Sequence, residues 1–396
     1  MAYHPLTLSH LNIDAYLTWT SLAVVLSIGF VLYRLISFRN PGVKDVKSCK
    51  DYPTKETIAS MGASTNVDVT KERKAPPAPG QVTVSKILIH PIKSCRGTSV
   101  QSARYNPEGL ENDRKWCIID APRLQVITAR ESPKMVLITP RIEVDASSPY
   151  GGVLSISFPE GSDCESFSIP LNPDEATLKS WSILPEISLW PTHGPIDGYI
   201  CESLSPSPSP SASAILSKYF DKPVHLVFKG PRPREIDPTT TFPELKATAW
   251  YQDMYPLLVL SEESTVSVEE ELRERVGTQG IEEGWRTGRV VIERFRPNIV
   301  FRGGGPFAED DWEEIAIGSE SAPRISLVSK CTRCLLPNVS PETGERDKAV
   351  PFKVLMKFRT GVDPMQKMKP CVGCNGVPDG DGVVRVGDVV FVKKMI

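Results

Sequence analysis

Hydrophobic and polar residues alternate in short runs along much of the chain. The run VTVSKILIH at 82–90 alternates in this way and ends at Pro91, and Leu154–Phe158 shows the same pattern. Trp116–Ile119 and Val136–Ile138 are short apolar runs that turn-forming or charged residues follow. A period of two is typical of half-buried strands. The pattern predicts a mostly β fold, a barrel or sandwich rather than a doubly wound sheet.

Helical patterns are few. Ala212–Phe220 is one candidate, and Ser267–Val276 is another, with Ser267 as N-cap and Glu270 completing a capping box. The C-terminal stretch VVRVGDVVFVKKMI predicts a strand, a turn at Gly387-Asp388 and a second strand. The expected fold class is therefore mostly β with a few helices.

The N-terminus carries one long apolar segment, Ala15–Ile36, in which no charge occurs between Tyr16 and Tyr33. This length is enough to cross ~30 Å of hydrocarbon. A cleaved signal peptide is disfavoured because no Lys or Arg precedes Arg34. Basic residues follow the segment instead, so the positive-inside rule places the rest of the chain in the cytosol. We therefore predict a single transmembrane helix within residues 1–37.

Residues 38–80 are predicted to form a flexible linker. The stretch is polar and ends in KERKAPPAPG, whose prolines favour extended backbone over packing. The folded body is expected to begin near Gln81.

Composition narrows the class of protein. The chain has 396 residues, 40% of them hydrophobic, and 46 Lys+Arg against 48 Asp+Glu, which gives a net charge of −2. These values exclude a collagenous or mostly disordered chain. They also give no reason to expect nucleic-acid binding. The cysteine count, nine, is odd, which favours a reducing compartment over a secreted disulfide framework.

The strongest local feature is Cys331-x-x-Cys334 at the end of an apolar strand. Lys330 adjoins Cys331 and Arg333 adjoins Cys334. Neighbouring cations favour the thiolate, which attacks electrophiles or binds soft metals. The alternative is a pair of buried cysteines that only fill space.

A second pair, Cys371-Val-Gly-Cys374, has the glycine of a metal knuckle. The four thiolates of Cys331, Cys334, Cys371 and Cys374 would make a closed tetrahedral zinc site. The gap of 36 residues between the pairs is longer than the ~15–20 residues of common zinc ribbons. The zinc site therefore remains an alternative.

Basic clusters stand at several strand ends, in the sequences HPIKSCRG (90–97), DRKW (113–116) and RFRPN (294–298). A single cluster of this kind is usually a group of solvent-exposed side chains without a binding role. Several that converge would bind an anion, since guanidinium groups match phosphate oxygens in bidentate pairs.

The order of these motifs resembles the MOSC-domain family, and within it the mitochondrial amidoxime-reducing component group. The similarity runs from about Gln81 to Lys394. It rests on HPIKSCRG, DRKW, TARESP (128–133), RFRPNIV (294–300), AEDDW (308–312), the segment from Cys331 to Gly344 and VGDVV (386–390). It implies a MOSC N-terminal β-barrel domain at 81–205 and a MOSC domain at 206–396.

The resemblance also implies a molybdenum cofactor, with Cys334 as metal ligand and catalytic residue. Its other expected contacts are Lys93, Ser94, Arg114, Asp253, Arg296, Asn298 and Arg333. Met254 and Tyr255 depart from the family, which usually has small hydroxyl residues there. Cys371 and Cys374 lie outside the family's ligand pattern.

The implied activity is two-electron reduction of N-hydroxylated compounds such as amidoximes and hydroxylamines. Electrons are expected from a cytochrome b5-type donor and its NADH-dependent reductase, and the outer mitochondrial membrane is expected rather than the endoplasmic reticulum. Two alternatives stay open. One is a carrier of sulfur or of the molybdenum cofactor that uses Cys334, and the other is a zinc-binding module that uses the four cysteines.

Overall fold

Strands dominate the computed structural model, which describes residues 75–191, 193–204 and 210–396. The strands of the first half are β1 (Thr83–Ile89), β2 (Thr98–Val100), β3 (Ser102–Asn106), β4 (Gly109–Leu110), β5 (Trp116–Asp120), β6 (Gln125–Val126), β7 (Thr139–Val144), β8 (Gly152–Ser157), β9 (Phe167–Pro170), β10 (Ile183–Ile187) and β11 (Ile196–Ile200). The later strands are β12 (Val224–Lys229), β13 (Arg234–Glu235), β14 (Thr248–Ala249), β15 (Leu257–Ser261), β16 (Ile299–Arg302), β17 (Trp312–Ile317), β18 (Ile325–Thr332), β19 (Cys371–Pro378), β20 (Gly382–Arg385) and β21 (Val390–Met395).

The α-helices within the described residues are short: α1 (Glu175–Ser180), α2 (Ala212–Phe220), α3 (Glu263–Arg273) and α4 (Phe352–Phe358). The prediction of a mostly β fold with few helices is confirmed. No helix in the described ranges is both long and apolar enough to span a bilayer. The predicted transmembrane helix in 1–37 and most of the linker at 38–80 lie outside the described residues.

The largest sheet has eight strands in the order β2-β1-β16-β15-β19-β18-β17-β21. It curls until its two sides meet near β1. Val390 N–H of β21 donates to Val82 O at 2.9 Å, and Val84 N–H donates to Asp388 O at 2.9 Å. Side chains from β1, β15, β16, β17 and β18 fill its interior, including the buried Phe301. The first and last strands of the folded part thus close one barrel-like sheet.

A second sheet has five strands in the order β10-β11-β12-β5-β6. It also closes, because Val126 N–H of β6 donates to Ser188 O, just after β10, at 3.0 Å. Strand β5 is buried on both faces: Trp116 and Ile118 enter one core, while Cys117 enters another. This double burial explains why the sequence of β5 is continuously apolar.

Three smaller sheets complete the fold, β20-β3-β4, β7-β8-β9 and β13-β14. Strands β1 and β2 share the large sheet with strands from the second half of the chain, and the boundary between 205 and 206 stays a prediction. Two local expectations were wrong. Val136 belongs to a 3-10 helix, Pro133–Leu137, whose proline opens its first turn. Helix α3 begins at Glu263, so Ser267 lies inside it rather than at its N-cap.

Candidate functional site

The segment after β1 connects the two large sheets. Pro91 ends β1, and Ile92 then forms a parallel bridge with Trp116 of β5. The Lys93 N–H donates to Trp116 O at 2.8 Å. Ser94 follows with φ of 67° and is buried. The sequence-predicted residues Lys93 and Ser94 therefore lie where the two sheets meet.

Lys93 forms an ion pair with Asp253. Its Nζ also donates to Tyr251 O at 2.8 Å and lies 5.4 Å from the centroid of the Trp190 ring. Burial lowers the pKa of Lys93 to about 8, and Asp253 opposes this shift. The Asp253 side chain keeps 49% of its exposure. The pair thus joins a buried cation to a carboxylate that faces an open side.

Arg114 and Arg296 meet beside this pair, and both have left-handed backbones with φ of 51° and 57°. Arg114 donates to Asp113 Oδ2 at 2.6 Å and, through Nη2, to Arg296 O at 3.0 Å. Arg296 Nη1 donates to Cys95 O at 2.8 Å. Burial, and then the charge of Arg114, lower the pKa of Arg296 to about 10. All three basic sequence clusters therefore converge, since Cys95 belongs to the same cluster as Lys93.

We call five side chains within electrostatic reach of Asp253 the cation cluster. Although desolvation raises the pKa of Asp253, the neighbouring cations lower it far below its usual value. Positive charges outnumber the carboxylates of Asp253 and Asp113. The cluster consists of Lys93, Arg114, Arg130, Arg234 and Arg296.

Some donors of the cation cluster have no partner within the described structure. Arg296 Nη2 and Arg234 Nη1 are buried and make no hydrogen bond. Buried polar atoms are nearly always hydrogen-bonded, so unpaired guanidinium N–H groups indicate space for an acceptor. The excess positive charge indicates that the acceptor is anionic. These residues fit a cofactor that carries a phosphate.

The cysteine loop is tied to the same place. Cys331 lies at the end of β18, and Cys334 lies two residues beyond the strand. Arg333 donates from Nη1 to Cys331 Sγ at 2.9 Å and from Nη2 to Phe295 O at 2.6 Å. Since Phe295 immediately precedes Arg296, Arg333 joins the cysteine loop to the cation cluster. Cys334 is partly exposed, and its sulfur accepts the N–H of Leu336 at 3.4 Å.

The expectation of a thiolate at Cys331 was wrong. Burial raises the pKa of this thiol, and Arg333 only partly offsets the rise. Lys330, its sequence neighbour, donates to Asp310 O and lies 3.8 Å from Cys374 Sγ. Adjacent residues of a strand point to opposite faces, so Lys330 turns away from Cys331. Cys331 and Cys334 are both partly exposed, and the Cys331 sulfur is the one that Arg333 contacts.

Cys371 and Cys374 do not form a metal knuckle. They lie on β19, where the four residues Cys371–Cys374 oppose only three, Lys330–Thr332. This extra residue is a β-bulge at Gly373, whose φ is +81°. The Cys374 thiol donates to a backbone carbonyl, that of Glu309, at 3.2 Å. Within residues 75–191, 193–204 and 210–396, no three His, Cys, Asp or Glu side chains form a metal-binding group, so the zinc alternative has no support.

Asn298 lies deeper than expected for a cofactor contact. Its Oδ1 accepts the N–H of Leu258 at 3.1 Å, and its Nδ2 lies 3.4 Å from Leu88 O. Its amide therefore joins neighbouring strands. Tyr255 is buried and donates to Asp237 O at 3.2 Å. Met254 packs in the same small apolar core as Tyr255, so both unusual residues contribute to packing.

Three residues of the site were missed by sequence reasoning. Arg130 lies 4.3 Å from the Trp190 centroid, and Trp190 Nε1 donates to Asp253 O at 3.2 Å. The motif TARESP contains Arg130, but nothing in the motif indicates a role for this residue. Trp190 and Arg234 stand in segments without any recognisable pattern, so only the fold brings them to the site.

Comparison with known proteins identifies the family. Residues 81–188 match the MOSC N-terminal beta barrel domain, and residues 247–391 match the MOSC domain. Mitochondrial amidoxime-reducing component 1 of Mus musculus is 31% identical over 318 residues, 78% of this chain and 82% of the relative. The chain belongs to the MOSC-domain family. The resemblance drawn from the sequence motifs is confirmed.

Other relatives of this MOSC protein agree. Mitochondrial amidoxime reducing component 2 of Rattus norvegicus is 29% identical over 324 residues, 78% of this chain and 82% of the relative. Mitochondrial amidoxime-reducing component 1 of Homo sapiens is 28% identical over 320 residues, with the same shares. The crystal structure of the YUAD protein from Bacillus subtilis covers 78% of this chain and 93% of that chain, with 8% identity and a TM-score of 0.28. A TM-score this low does not establish that the two chains share a fold.

Proposed function

We propose that this MOSC protein is a molybdenum-cofactor oxidoreductase that reduces N-hydroxylated compounds such as amidoximes and hydroxylamines. The observation that carries the proposal is the meeting of the cation cluster with the Cys334 loop through the bond from Arg333 to Phe295 O. One side of this arrangement suits the anionic part of a cofactor. The other side offers a partly exposed sulfur, a soft ligand that suits molybdenum.

Each part of the site has a distinct task in this proposal. Arg114 and Arg296 would bind the phosphate, and Arg296 brings a buried N–H group that has no partner among the described residues. Lys93, Ser94 and Asp253 would hold the pterin. Cys334 is the protein's metal ligand. Arg333 binds Cys331 and the backbone beside Arg296, so it holds the ligand loop at the cofactor.

When bound, the cofactor supplies the two-electron chemistry that removes oxygen from an N–O bond. The protein contributes binding, orientation and selection between the two thiols. Arg333 donates to the Cys331 sulfur at 2.9 Å, which engages that thiol and leaves Cys334 as the proposed ligand. The names of the amidoxime-reducing relatives support this class of substrate.

The direct test is metal content and turnover of the full-length protein. We expect about one molybdenum per chain and reduction of benzamidoxime by reduced cytochrome b5. Cys334→Ala should lose both, since it removes the only proposed protein ligand of the metal. Molybdenum without turnover would favour the carrier, and zinc without molybdenum would contradict the proposal.

Two other cysteines serve as controls for this test. Cys164→Ala removes a partly exposed thiol from a different part of the molecule and should keep both molybdenum and activity. Cys331→Ala should keep the metal, because its thiol is not the proposed ligand. Loss of metal in Cys331→Ala with retention in Cys334→Ala would show that the ligand is misassigned.

We also propose that residues 1–37 anchor the protein in the outer mitochondrial membrane with its folded body in the cytosol. A cytochrome b5-type protein and its NADH-dependent reductase would then supply electrons at the same membrane surface, where a shared surface raises effective concentration. Fractionation of cells with protease treatment of intact mitochondria tests the placement. A protein that fractionates with the endoplasmic reticulum, or that protease cannot reach, would contradict it.

A further inference from the structure

One buried arginine holds the segment that carries Asp253. Arg234 Nε donates to Trp250 O at 2.7 Å, and its Nη2 lies 3.2 Å from Gln252 O and 3.5 Å from Met254 O. Only 4% of Arg234 is exposed. A single guanidinium thus donates hydrogen bonds to every second carbonyl of a five-residue segment, those of residues 250, 252 and 254.

The two carbonyls between these are also taken by side chains. Tyr251 O accepts from Lys93 Nζ at 2.8 Å, and Asp253 O accepts from Trp190 Nε1 at 3.2 Å. Five consecutive carbonyls at 250–254 are therefore bound by side-chain donors and not by a neighbouring strand. The segment lies outside any regular element, since β14 ends at Ala249 and β15 starts at Leu257.

The chemistry of arginine suits this task. Strand β13 pairs with β14 and sets Arg234 opposite Ala249, directly before the segment. A planar guanidinium presents five N–H donors in a fixed fork, whereas an ammonium group is a single point on a flexible chain. Burial lowers the pKa of Arg234 to about 10, with Asp253 and Asp237 opposing the shift. Burying a charge is costly, and this buried guanidinium is hydrogen-bonded to backbone carbonyls. The cost indicates that the conformation of the 250–254 segment is important for the protein.

We propose that Arg234 is a positioning residue, which fixes the 250–254 segment so that the Asp253 carboxylate stays paired with Lys93 in the cation cluster. The inference rests on the side-chain hydrogen bonds from Arg234 and Trp190 to the carbonyls of residues 250–254, which we call the clamp. Its relevance to cofactor binding rests on the proposed function, but the clamp itself does not.

Arg234 is also a cation near Lys93, so position and charge must be separated. The ionisable groups that face Lys93 are Asp253, Arg130, Arg234 and the buried thiol of Cys117. Asp253 raises the pKa of Lys93, whereas Arg130 and Arg234 lower it. Arg234→Lys keeps the charge and removes the fork. If Arg234 acts by position, this variant lets Asp253 drift and lowers the pKa of Lys93. If Arg234 acts by charge alone, the variant leaves that pKa unchanged.

The experiment follows the Lys93 side chain by NMR in full-length protein with 13Cε-labelled lysine. Its resonance is assigned by its absence in Lys93→Arg. In the unsubstituted protein we expect a midpoint near 8. In Arg234→Lys the midpoint should fall by about 0.5–1 unit, a part of the 1–3 units that an adjacent opposite charge usually contributes.

Three comparisons make the outcome decisive. Arg232→Lys, two residues earlier and exposed, should leave the midpoint unchanged. Trp190→Phe removes the N–H bound to Asp253 O and should shift the midpoint in the same direction as Arg234→Lys, which provides a second route if that variant does not fold. Because the Trp190 ring also lies over Lys93, this shift supports the proposal only if it disappears when Trp190→Phe is made in the Asp253→Asn background. In an Asp253→Asn background, Arg234→Lys should cause no further shift. An unchanged midpoint in both clamp variants, or an equal shift in the Asp253→Asn background, would overturn the proposal.

Molybdenum content separates this inference from the proposed function. If the unsubstituted protein holds molybdenum, Arg234→Lys should retain less of it after dialysis above pH 7.5, because Lys93 is then less charged. If the unsubstituted protein holds no molybdenum, the proposed function fails. The Lys93 titration still decides whether Arg234 positions Asp253.

Discussion

At the scale of single residues, the carboxyl group of Glu309 couples folding to pH. Glu309 is fully buried, and burial raises its pKa to about 7. Its Oε2 accepts the Ser261 N–H at 3.2 Å, while its Oε1 has no partner within the described structure. The folded protein therefore binds this proton more tightly than the unfolded chain does.

This difference predicts a pH-dependent stability. The contribution of Glu309 is fully present below the unfolded pKa, and it is lost as the pH rises through about 7. Relative to Glu309→Gln, the unsubstituted protein should lose about 3 kcal/mol of unfolding free energy between pH 4 and pH 8. Urea unfolding of both proteins across this range measures the difference. Glu270→Gln, at an exposed position, is the control, and a parallel pH dependence of all three proteins would contradict the expectation.

Residue chemistry alone predicted part of the site. The sequence pointed to the pair Cys331 and Cys334 and to the basic clusters that contain Lys93, Arg114 and Arg296, because these motifs combine a reactive or cationic group with a strand end. The choice of Cys334 and of the individual cations came from the resemblance to the family. The sequence could not predict which of the two cysteine thiols Arg333 contacts. Only the fold shows its guanidinium on Cys331, since side-chain direction depends on strand register and loop geometry.

At the scale of elements, the bulge in β19 fixes how three central strands fit together. Strand β19 is buried along its whole length and lies between β15 and β18. A Cβ on Gly373 would lie 2.7 Å from Val259 O of β15, and the φ of +81° is already unfavourable for other residues. The glycine is thus required by both space and backbone conformation.

Gly373→Ala should therefore lower the unfolding free energy by about 2 kcal/mol or more. The matched control is Gly380→Ala, where an added Cβ meets nothing closer than Pro323 Cβ at 3.5 Å. That control should change stability by less than ~0.5 kcal/mol. The midpoint of urea unfolding measures both variants. Equal midpoints for the two would show that β15 adjusts to the added methyl group without cost.

The element boundaries show where sequence patterns stop being informative. Strand β1 and helix α2 follow their patterns closely, because each has a regular apolar face and a clear end. Helix α3 starts earlier than its capping signal, since Glu262 pairs with Arg302 at 2.9 Å and Glu263 accepts the Gly303 N–H at 2.7 Å. These contacts come from β16 and the turn after it, more than 35 residues away, and no local pattern contains them.

At the scale of the whole molecule, a chain with a net charge of −2 concentrates positive charge at one place. The residues of the cation cluster are spread from position 93 to position 296. They lie in segments that connect strands of the two large sheets. Overall charge therefore carries no information about this site. The order of the motifs allowed the convergence to be expected through the family, whereas spacing along the chain could not establish it.

The large sheet closes through its last strand, β21, so a change at this closure should affect the whole molecule. Val390 is buried at the start of β21, and its N–H donates to Val82 O. Val390→Pro removes this donor and places a rigid ring where the strands meet. Since β1 leads directly into Lys93, we expect a loss of at least ~2 kcal/mol of unfolding free energy together with loss of bound molybdenum.

The control for this prediction lies on the same strand. Lys394 pairs with Glu313 at 2.6 Å and is 56% exposed, so Lys394→Ala should change stability by less than ~1 kcal/mol and keep the metal. Thermal unfolding and metal analysis of the two purified variants make the comparison. A Val390→Pro protein with unchanged stability and metal content would mean that the sheet holds its shape without this closure. In that case the position of Lys93 would depend on the neighbouring five-stranded sheet, through the bond from Lys93 N–H to Trp116 O.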